Sequence, residues 1–255
     1  MRQSNAYILI FTAAMTIVVG GLLSLASQAL APAQKKSIEL DTKSAILASV
    51  MDLESMQLKP DEVLSLYNER IESLVVDING EPIETDEKGN PIVAENVNIL
   101  KNYKKDPADR QYPVFKYMDE AVAGKVDSYI LPVYGAGLWD KIWGYVAMDN
   151  SFQEIVGVSY GHKQETPGLG ARISTPEIQD RYKGKKIFDE SGELVSVTML
   201  KGEGNDGLNE HQVDGMSGAT LTGRGVNAML EKYFSYYQAY MEKAADSGSL
   251  TTASR

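Results

Sequence analysis

Residues 7–30 read YILIFTAAMTIVVGGLLSLASQAL, with no charged side chain among them. A helix of about 20 apolar residues spans a bilayer core, and in hydrocarbon only a helix or a closed barrel satisfies every backbone N–H and C=O. This stretch therefore predicts a helix that leaves water, and two outcomes compete for it. One is an uncleaved, single-pass anchor over residues 1–33. The other is a cleaved signal peptide, for which Ala29 and Ala31 stand in A-x-A order. The run exceeds a signal core of roughly 7–15 residues, which favours the anchor. Arg2 precedes it, and Lys35 and Lys36 follow, so flanking charge barely decides orientation.

The 255 residues suffice for one full domain plus an appendage, or for two small domains. The balance is acidic: the net charge is −10, and a nucleic-acid binder would present a basic face, so no nucleic-acid partner is expected. There is no cysteine, which excludes disulfides, iron–sulfur ligation by this chain and a thiol nucleophile. The two histidines, His162 and His211, lie far apart outside any ligand-spaced cluster, so no metal site is expected either.

Past the anchor, Ile38, Ala45, Ile46, Leu47, Val50, Met51 and Leu53 recur at helical spacing. A second helix is expected after Pro60, with Val63, Leu64, Tyr67 and Ile71 on one stripe. SLVVDING (73–80) reads as a strand closed by an Asn-Gly turn. Residues 81–113 are acidic and turn-rich and read as an insertion or surface excursion. DSYILPVYG, WGYVAMD and IVGVSYG then give three strands, Ser174 a cap for a short helix to Tyr182, and LVSVTML (194–200) a fourth strand. From Gly223 to about Lys243, apolar residues recur every three or four positions, the mark of an amphipathic helix, and 244–255 reads as a disordered tail. The expected class is α+β: one transmembrane helix (1–33), a helical linker with an N-terminal α+β part (34–127), a β-rich domain with packed helices (128–243) and the tail.

DGMSGATLTG, residues 214–223, stands directly ahead of that last helix. A helix start needs one capping hydroxyl, and Thr222 before Gly223 would supply it. Ser217 and Thr220 are then surplus. Small residues around a hydroxyl also admit a large group to it, so a second reading makes this a covalent attachment point. Two further loops, ETPGLG (165–170) and YGAGLW (134–139), read either as ordinary connections or as close-approach surfaces.

In this order and spacing, Gly135-Ala-Gly137-Leu138-Trp139, Glu165–Gly170, Lys201-Gly202 and Asp214–Thr222 resemble one family over roughly residues 128–240. It is the FMN-binding domain of the C subunit of the sodium-translocating NADH:quinone oxidoreductase, shared with the G subunit of the Rnf ferredoxin:NAD complex. The anchor and the overall length favour the former.

The resemblance implies FMN joined by a phosphoester to Thr220, put there by a flavin transferase that uses FAD as donor. Asp214, Ser217, Gly218, Ala219, Leu221 and Thr222 match the recognition stretch, with Thr222 at the phosphate or capping the helix. Thr166, Gly168, Leu169 and Gly170 are implied near the flavin ring, with Glu165 bracing their loop and Leu138 and Trp139 on the aromatic hairpin. Lys201 either offers charge to reduced flavin or is simply solvated. A histidine often stands two places before the family's Glu; here that place holds Lys163, and His162 is one earlier.

The implied role is a redox-carrier subunit with no catalytic residue of its own, in an inner-membrane complex that couples NADH oxidation and ubiquinone reduction to sodium export. Its partners would be the other membrane and flavin subunits, with the flavin domain on the periplasmic side. The rival readings are the Rnf-type subunit and a membrane-anchored binding module without redox function.

Overall fold

The structure, a computed structural model, describes residues 4–86 and 88–252. The chain divides into two compact units, residues 1–42 and 43–255. Helix α1 spans Asn5–Ala48, so the expected anchor and the helix expected after it are one continuous element. Among the described residues it is the one helix long and apolar enough to cross a membrane. Leu9, Ile10, Ile17, Leu22, Leu23 and Leu25 are all exposed on it. Its threonines do not leave polar groups free: Thr12 donates to the Ile8 carbonyl and Thr16 to the Thr12 carbonyl, the latter at 2.8 Å.

In the second unit, α2 (Leu53–Met56) and α3 (Pro60–Arg70) lead into β1 (Ile71–Val76). Pro60 opens α3 at a place where its missing N–H has no intrahelical partner to lose. The chain then makes the acidic excursion, which contains α4 (Ile99–Tyr103), and returns as β2 (Tyr112–Met118). Strands β3 (Val126–Ala136), β4 (Lys141–Asp149) and β5 (Ile155–His162) follow. All five form one antiparallel meander in the order β1-β2-β3-β4-β5. The sequence-based boundary at 127/128 therefore falls inside a sheet, since β1 and β2 pair with the strands placed in the flavin domain.

Beyond β5 come α5 (Pro176–Gln179), the two-residue parallel strands β6 (Thr198–Met199) and β7 (Gln212–Val213), and α6 (Thr220–Thr252). Alternation along the strands gives the sheet two buried faces. Leu131, Val133, Val146 and Met148 share one core with Val226, Met229, Leu230, Phe234 and Tyr237 of α6. The opposite face is covered by α3 and the end of α1: Ile46, Leu47, Val63 and Tyr67 are buried, as are Val75, Phe115, Ile130 and Tyr145.

Several expectations are corrected. The helix over 176–179 has Thr175, not Ser174, at its N-cap position. The strand expected over 194–200 shrinks to β6, because Val195 and Ser196 both donate their N–H to the Ile187 carbonyl and Ser196 adopts φ 60°. Strand β2 lies partly inside the stretch read as a surface excursion. Pro113 hid the regularity of β2, since proline cannot donate to a ladder, whereas β3 reads as a strand despite Pro132. The carbonyls of Pro113 and Pro132 accept the buried Tyr237 hydroxyl at 2.7 and 3.4 Å. Helix α6 begins at Thr220 rather than Gly223 and continues to Thr252, so the expected tail from 244 is helical that far; residues 253–255 lie outside the described residues.

Helix α6 approaches β3 so closely that a β-carbon at Gly225 would press on the Ala136 carbonyl oxygen. Alanine is favoured over glycine in a helix by about 1 kcal/mol, but this clash is with backbone and cannot be relieved by a rotamer. Gly225→Ala should therefore destabilise the folded domain, by about 1–3 kcal/mol, as a lower thermal midpoint. A rise in the midpoint would show that α6 does not pack this tightly.

Candidate functional site

Two tight turns face each other at the start of α6. The first, Thr166-Pro167-Gly168-Leu169, closes with Leu169 N–H on the Thr166 carbonyl at 3.1 Å. Proline in second place and glycine in third, at φ 74°, is the pattern of a type II turn. The second, Met216-Ser217-Gly218-Ala219, closes with Ala219 N–H on the Met216 carbonyl at 3.3 Å, and Gly218 has φ 73°. A β-carbon at Gly218 would stand 2.8 Å from Leu169 Cδ2, so the bare position lets the leucine lie close against the second turn. A third turn, at the β3–β4 hairpin, carries Leu138 and Trp139 and closes with Gly137 N–H on the Asp140 carbonyl at 2.8 Å.

Glu165 ties these parts together. Its side chain is buried, with the residue 4% exposed. One oxygen, Oε1, accepts the Trp139 backbone N–H at 3.0 Å. The other, Oε2, accepts the Thr222 hydroxyl at 2.6 Å. The Trp139 indole N–H then donates to Thr166 Oγ1 at 3.1 Å. Gly170 packs beneath: a β-carbon there would lie 2.6 Å from Glu165 Oε2. Gly170 is thus bare for packing rather than for approach to a ligand. Thr222 is also reassigned: it is 1% exposed, it lies inside α6 rather than at its cap, and its hydroxyl is committed to Glu165.

Thr220 differs from Thr222 in having an unengaged hydroxyl, a feature it shares with the exposed Ser217. It is half-buried at the first position of α6, and among the described residues its hydroxyl has no hydrogen-bond partner. The N–H groups of Thr220, Leu221 and Thr222 have no acceptor within the helix. Around it Ser217 and Gly218 are exposed, Ala219 is buried, and an apolar surface is open to solvent: Leu138, Trp139 (66% exposed), Leu169 and Leu221 (52%).

Behind the 216–219 turn lies an ionic brace that sequence reasoning missed, because its members are scattered along the chain. Arg172 and Arg181 both grip Glu203 Oε1, at 2.7 and 2.9 Å, and both reach Glu177. Arg181 also donates to the Gly215 carbonyl at 2.6 Å. These guanidinium groups hold the Glu203 carboxyl well below the usual carboxylate range. Asp214 organises the neighbouring loop. Burial pushes its carboxyl up, but hydrogen bonds from Asn205, Gly204 and Gly215 outweigh this and lower it to about 2. Lys201, on the same loop, is exposed. The histidines are structural: His162 Nδ1 accepts the Glu165 N–H at 3.4 Å, and His211 Nδ1 lies 2.8 Å from the Lys186 carbonyl.

A small-residue turn at a helix start, a free hydroxyl and an exposed apolar surface on which Trp139 is the aromatic member are the features of a cofactor-carrying domain. The FMN-binding domain family matches residues 137–235. A Na(+)-translocating NADH-quinone reductase C subunit from Neisseria meningitidis serogroup A is 32% identical over 258 residues, 97% of each chain. The C subunit from Yersinia pestis is 32% identical, over 83% of this chain and 80% of its own. Among solved structures, the C subunit from Parabacteroides distasonis superimposes with a TM-score of 0.67 at 37% identity, covering 82% of this chain and 94% of its own. NqrC from Shewanella oneidensis gives a TM-score of 0.67 at 28% identity, covering 83% and 98%. The chain belongs to the NqrC family, the C subunits of the Na(+)-translocating NADH-quinone reductases, and it carries that family's FMN-binding domain.

Two predictions follow from the bracing. Glu165→Ala leaves the buried Thr222 hydroxyl and the partly shielded Trp139 N–H without their acceptor, and should cost about 1–3 kcal/mol in denaturant unfolding. Glu165→Gln keeps the bulk and one acceptor oxygen and should cost less; equal losses would show that one acceptor of the same bulk cannot hold the site. The second concerns acid. The Asp214 carboxyl has a folded pKa near 2, below its ordinary 3.8. Its contribution to stability is complete above about pH 4 and is lost as pH falls towards 2, on the order of 1 kcal/mol after solvent screening. Asp214→Asn should be less stable at pH 7 yet lose less between pH 4 and 2, and an unchanged acid slope would contradict the assignment.

Proposed function

We propose that Thr220 carries FMN through a phosphoester and that the chain acts as an electron carrier within a sodium-translocating NADH:quinone reductase complex. The observation that carries the reading is the Thr220 hydroxyl, unengaged at the start of α6, next to the Gly218–Leu169 contact and on the helical turn that Glu165 ties to the Trp139 hairpin. The site fits the group on its own terms. Three backbone N–H groups without helical acceptors and the positive end of the α6 dipole suit a phosphate. The apolar side chains suit one face of a tricyclic ring, and Leu169 packs against the bare Gly218.

Bound FMN would supply an acceptor and donor of electrons. The protein's part is placement. Thr220 fixes the phosphate end, the Trp139 hairpin and the 166–169 turn hold the apolar bed, and Glu165 locks both to α6. In attachment, the Thr220 oxygen would form a bond to the FMN phosphorus of FAD as the bond to AMP breaks, with the hydroxyl proton passing to solvent. A flavin transferase would catalyse this step. The anchor would hold the domain at the inner membrane on the periplasmic side, beside the other membrane and flavin subunits. NADH oxidation, sodium translocation and ubiquinone reduction would belong to the complex as a whole.

Thr222 is a poor competitor because its hydroxyl is buried on Glu165; Ser217, exposed, is the better one. Thr220→Val keeps the shape of the side chain and removes the oxygen. Co-expressed with a flavin transferase, the wild-type chain should yield an FMN-sized adduct on the peptide containing Thr220, and Thr220→Val should lose covalent flavin entirely while staying folded. An adduct found on Ser217, or undiminished flavin in the valine variant, would sink the assignment.

A further inference from the structure

We propose that Arg224 is the counter-ion of the flavin phosphoester, a binding residue for the phosphate held on Thr220. The proposal rests on the Thr220 reading above and adds to it a second, non-covalent contact.

Helix geometry places the residue. Thr222, Gly223, Val226, Met229 and Leu230 are buried against the sheet, whereas Leu221, Arg224 and Ala228 are exposed and Thr220 is half-buried. At 100° per residue, Arg224 falls between Thr220 and Leu221 in direction, one turn further along. Residues four apart on a helix have β-carbons about 5–6 Å apart. The Cα–Cβ bonds also lean towards the helix N-terminus, so a long side chain covers the turn before its own Cα. For Arg224 that turn contains Thr220. The backbone beneath is fixed, since Gly225 lies hard against the Ala136 carbonyl and a β-carbon at Gly223 would be 3.0 Å from Met199 Sδ.

The electrostatics favour the same residue. A phosphodiester keeps one ionised oxygen at neutral pH, and this chain has a net charge of −10. Arg172 and Arg181 are already occupied by Glu177, Glu203 and backbone carbonyls. Arg224, by contrast, has no ion pair or hydrogen bond among the described residues. No acidic residue stands in the first turn of α6. The first carboxylate along that face is Glu231, seven residues on and about 10 Å along the axis. A guanidinium can take two phosphate oxygens at once, which a lysine cannot. Arg224 therefore meets the phosphate without breaking any existing contact.

A double-mutant cycle tests this in the full chain co-expressed with a flavin transferase. Wild type, Arg224→Gln, Arg224→Lys, Thr220→Val and the Thr220→Val/Arg224→Gln double variant are compared by intact mass, thermal midpoint and flavin fluorescence anisotropy. Arg224→Gln should lower the midpoint of the flavin-bearing chain by about 2 °C, and the loss should shrink in high salt. It should leave the midpoint unchanged in the Thr220→Val background, where no phosphate is held. Flavin anisotropy should fall in Arg224→Gln and recover in part in Arg224→Lys. An equal effect in both backgrounds would assign Arg224 to the fold alone, and no effect in either would remove it from the site; both outcomes overturn the proposal. Flavin retained in Thr220→Val would overturn the Thr220 reading itself, and is visible in the mass before any Arg224 comparison is made.

Discussion

Glu165 accepts two hydrogen bonds at the meeting point of three segments that are distant in sequence. Its carboxylate takes a backbone N–H from the β3–β4 hairpin and a hydroxyl from the first turn of α6, while its own residue begins the 165–170 loop. A buried charge left without partners is expensive, so the three segments are held in one arrangement wherever Glu165 is satisfied. Gly137 and Gly170 are bare because the carboxylate fills the volume their side chains would need. The functional end of the domain depends on this contact. It sets the distance between Trp139 and α6, and so the width of the surface beside Thr220.

Rigidity behind that surface comes from two sources. The α6–sheet core fixes the helix along its length, with the Tyr237 hydroxyl answering carbonyls on both β2 and β3. On the other flank, Arg172, Arg181 and Glu203 clamp the loop that approaches Ser217 and Gly215. Such a network of partly shielded charges is worth more than isolated surface pairs, because each guanidinium is held by more than one partner. A domain that carries FMN gains from such stiffness, because it keeps the cofactor's surroundings in one geometry.

Much of this architecture was legible in the residues. The uncharged Tyr7–Leu30 stretch required a helix, since composition alone decides solubility in a bilayer core. Strands β3, β4 and β5 were readable from their β-branched and aromatic runs, and α6 from its apolar period. The order of the small-residue motifs was enough to point to the family. Strand β2 was not legible, because Pro113 and the preceding acidic turns mimic a loop, and its pairing with β1 spans a long excursion. The strand expected over 194–200 failed for a local reason, the left-handed turn at Ser196.

Sequence by itself thus determined the chemistry available: an apolar helix long enough to cross a membrane, a hydroxyl-rich turn before a helix, no thiol and no ligand-spaced histidines. Tertiary structure decided which hydroxyl is taken. Ser217, Thr220 and Thr222 look alike as letters in one short stretch. Helix α6 begins at Thr220, and its 100° rotation per residue turns Thr222 inward onto Glu165 while Thr220 stays at the surface. That distinction depends on where a helix starts and on a carboxylate 57 residues away, neither of which is written in the motif.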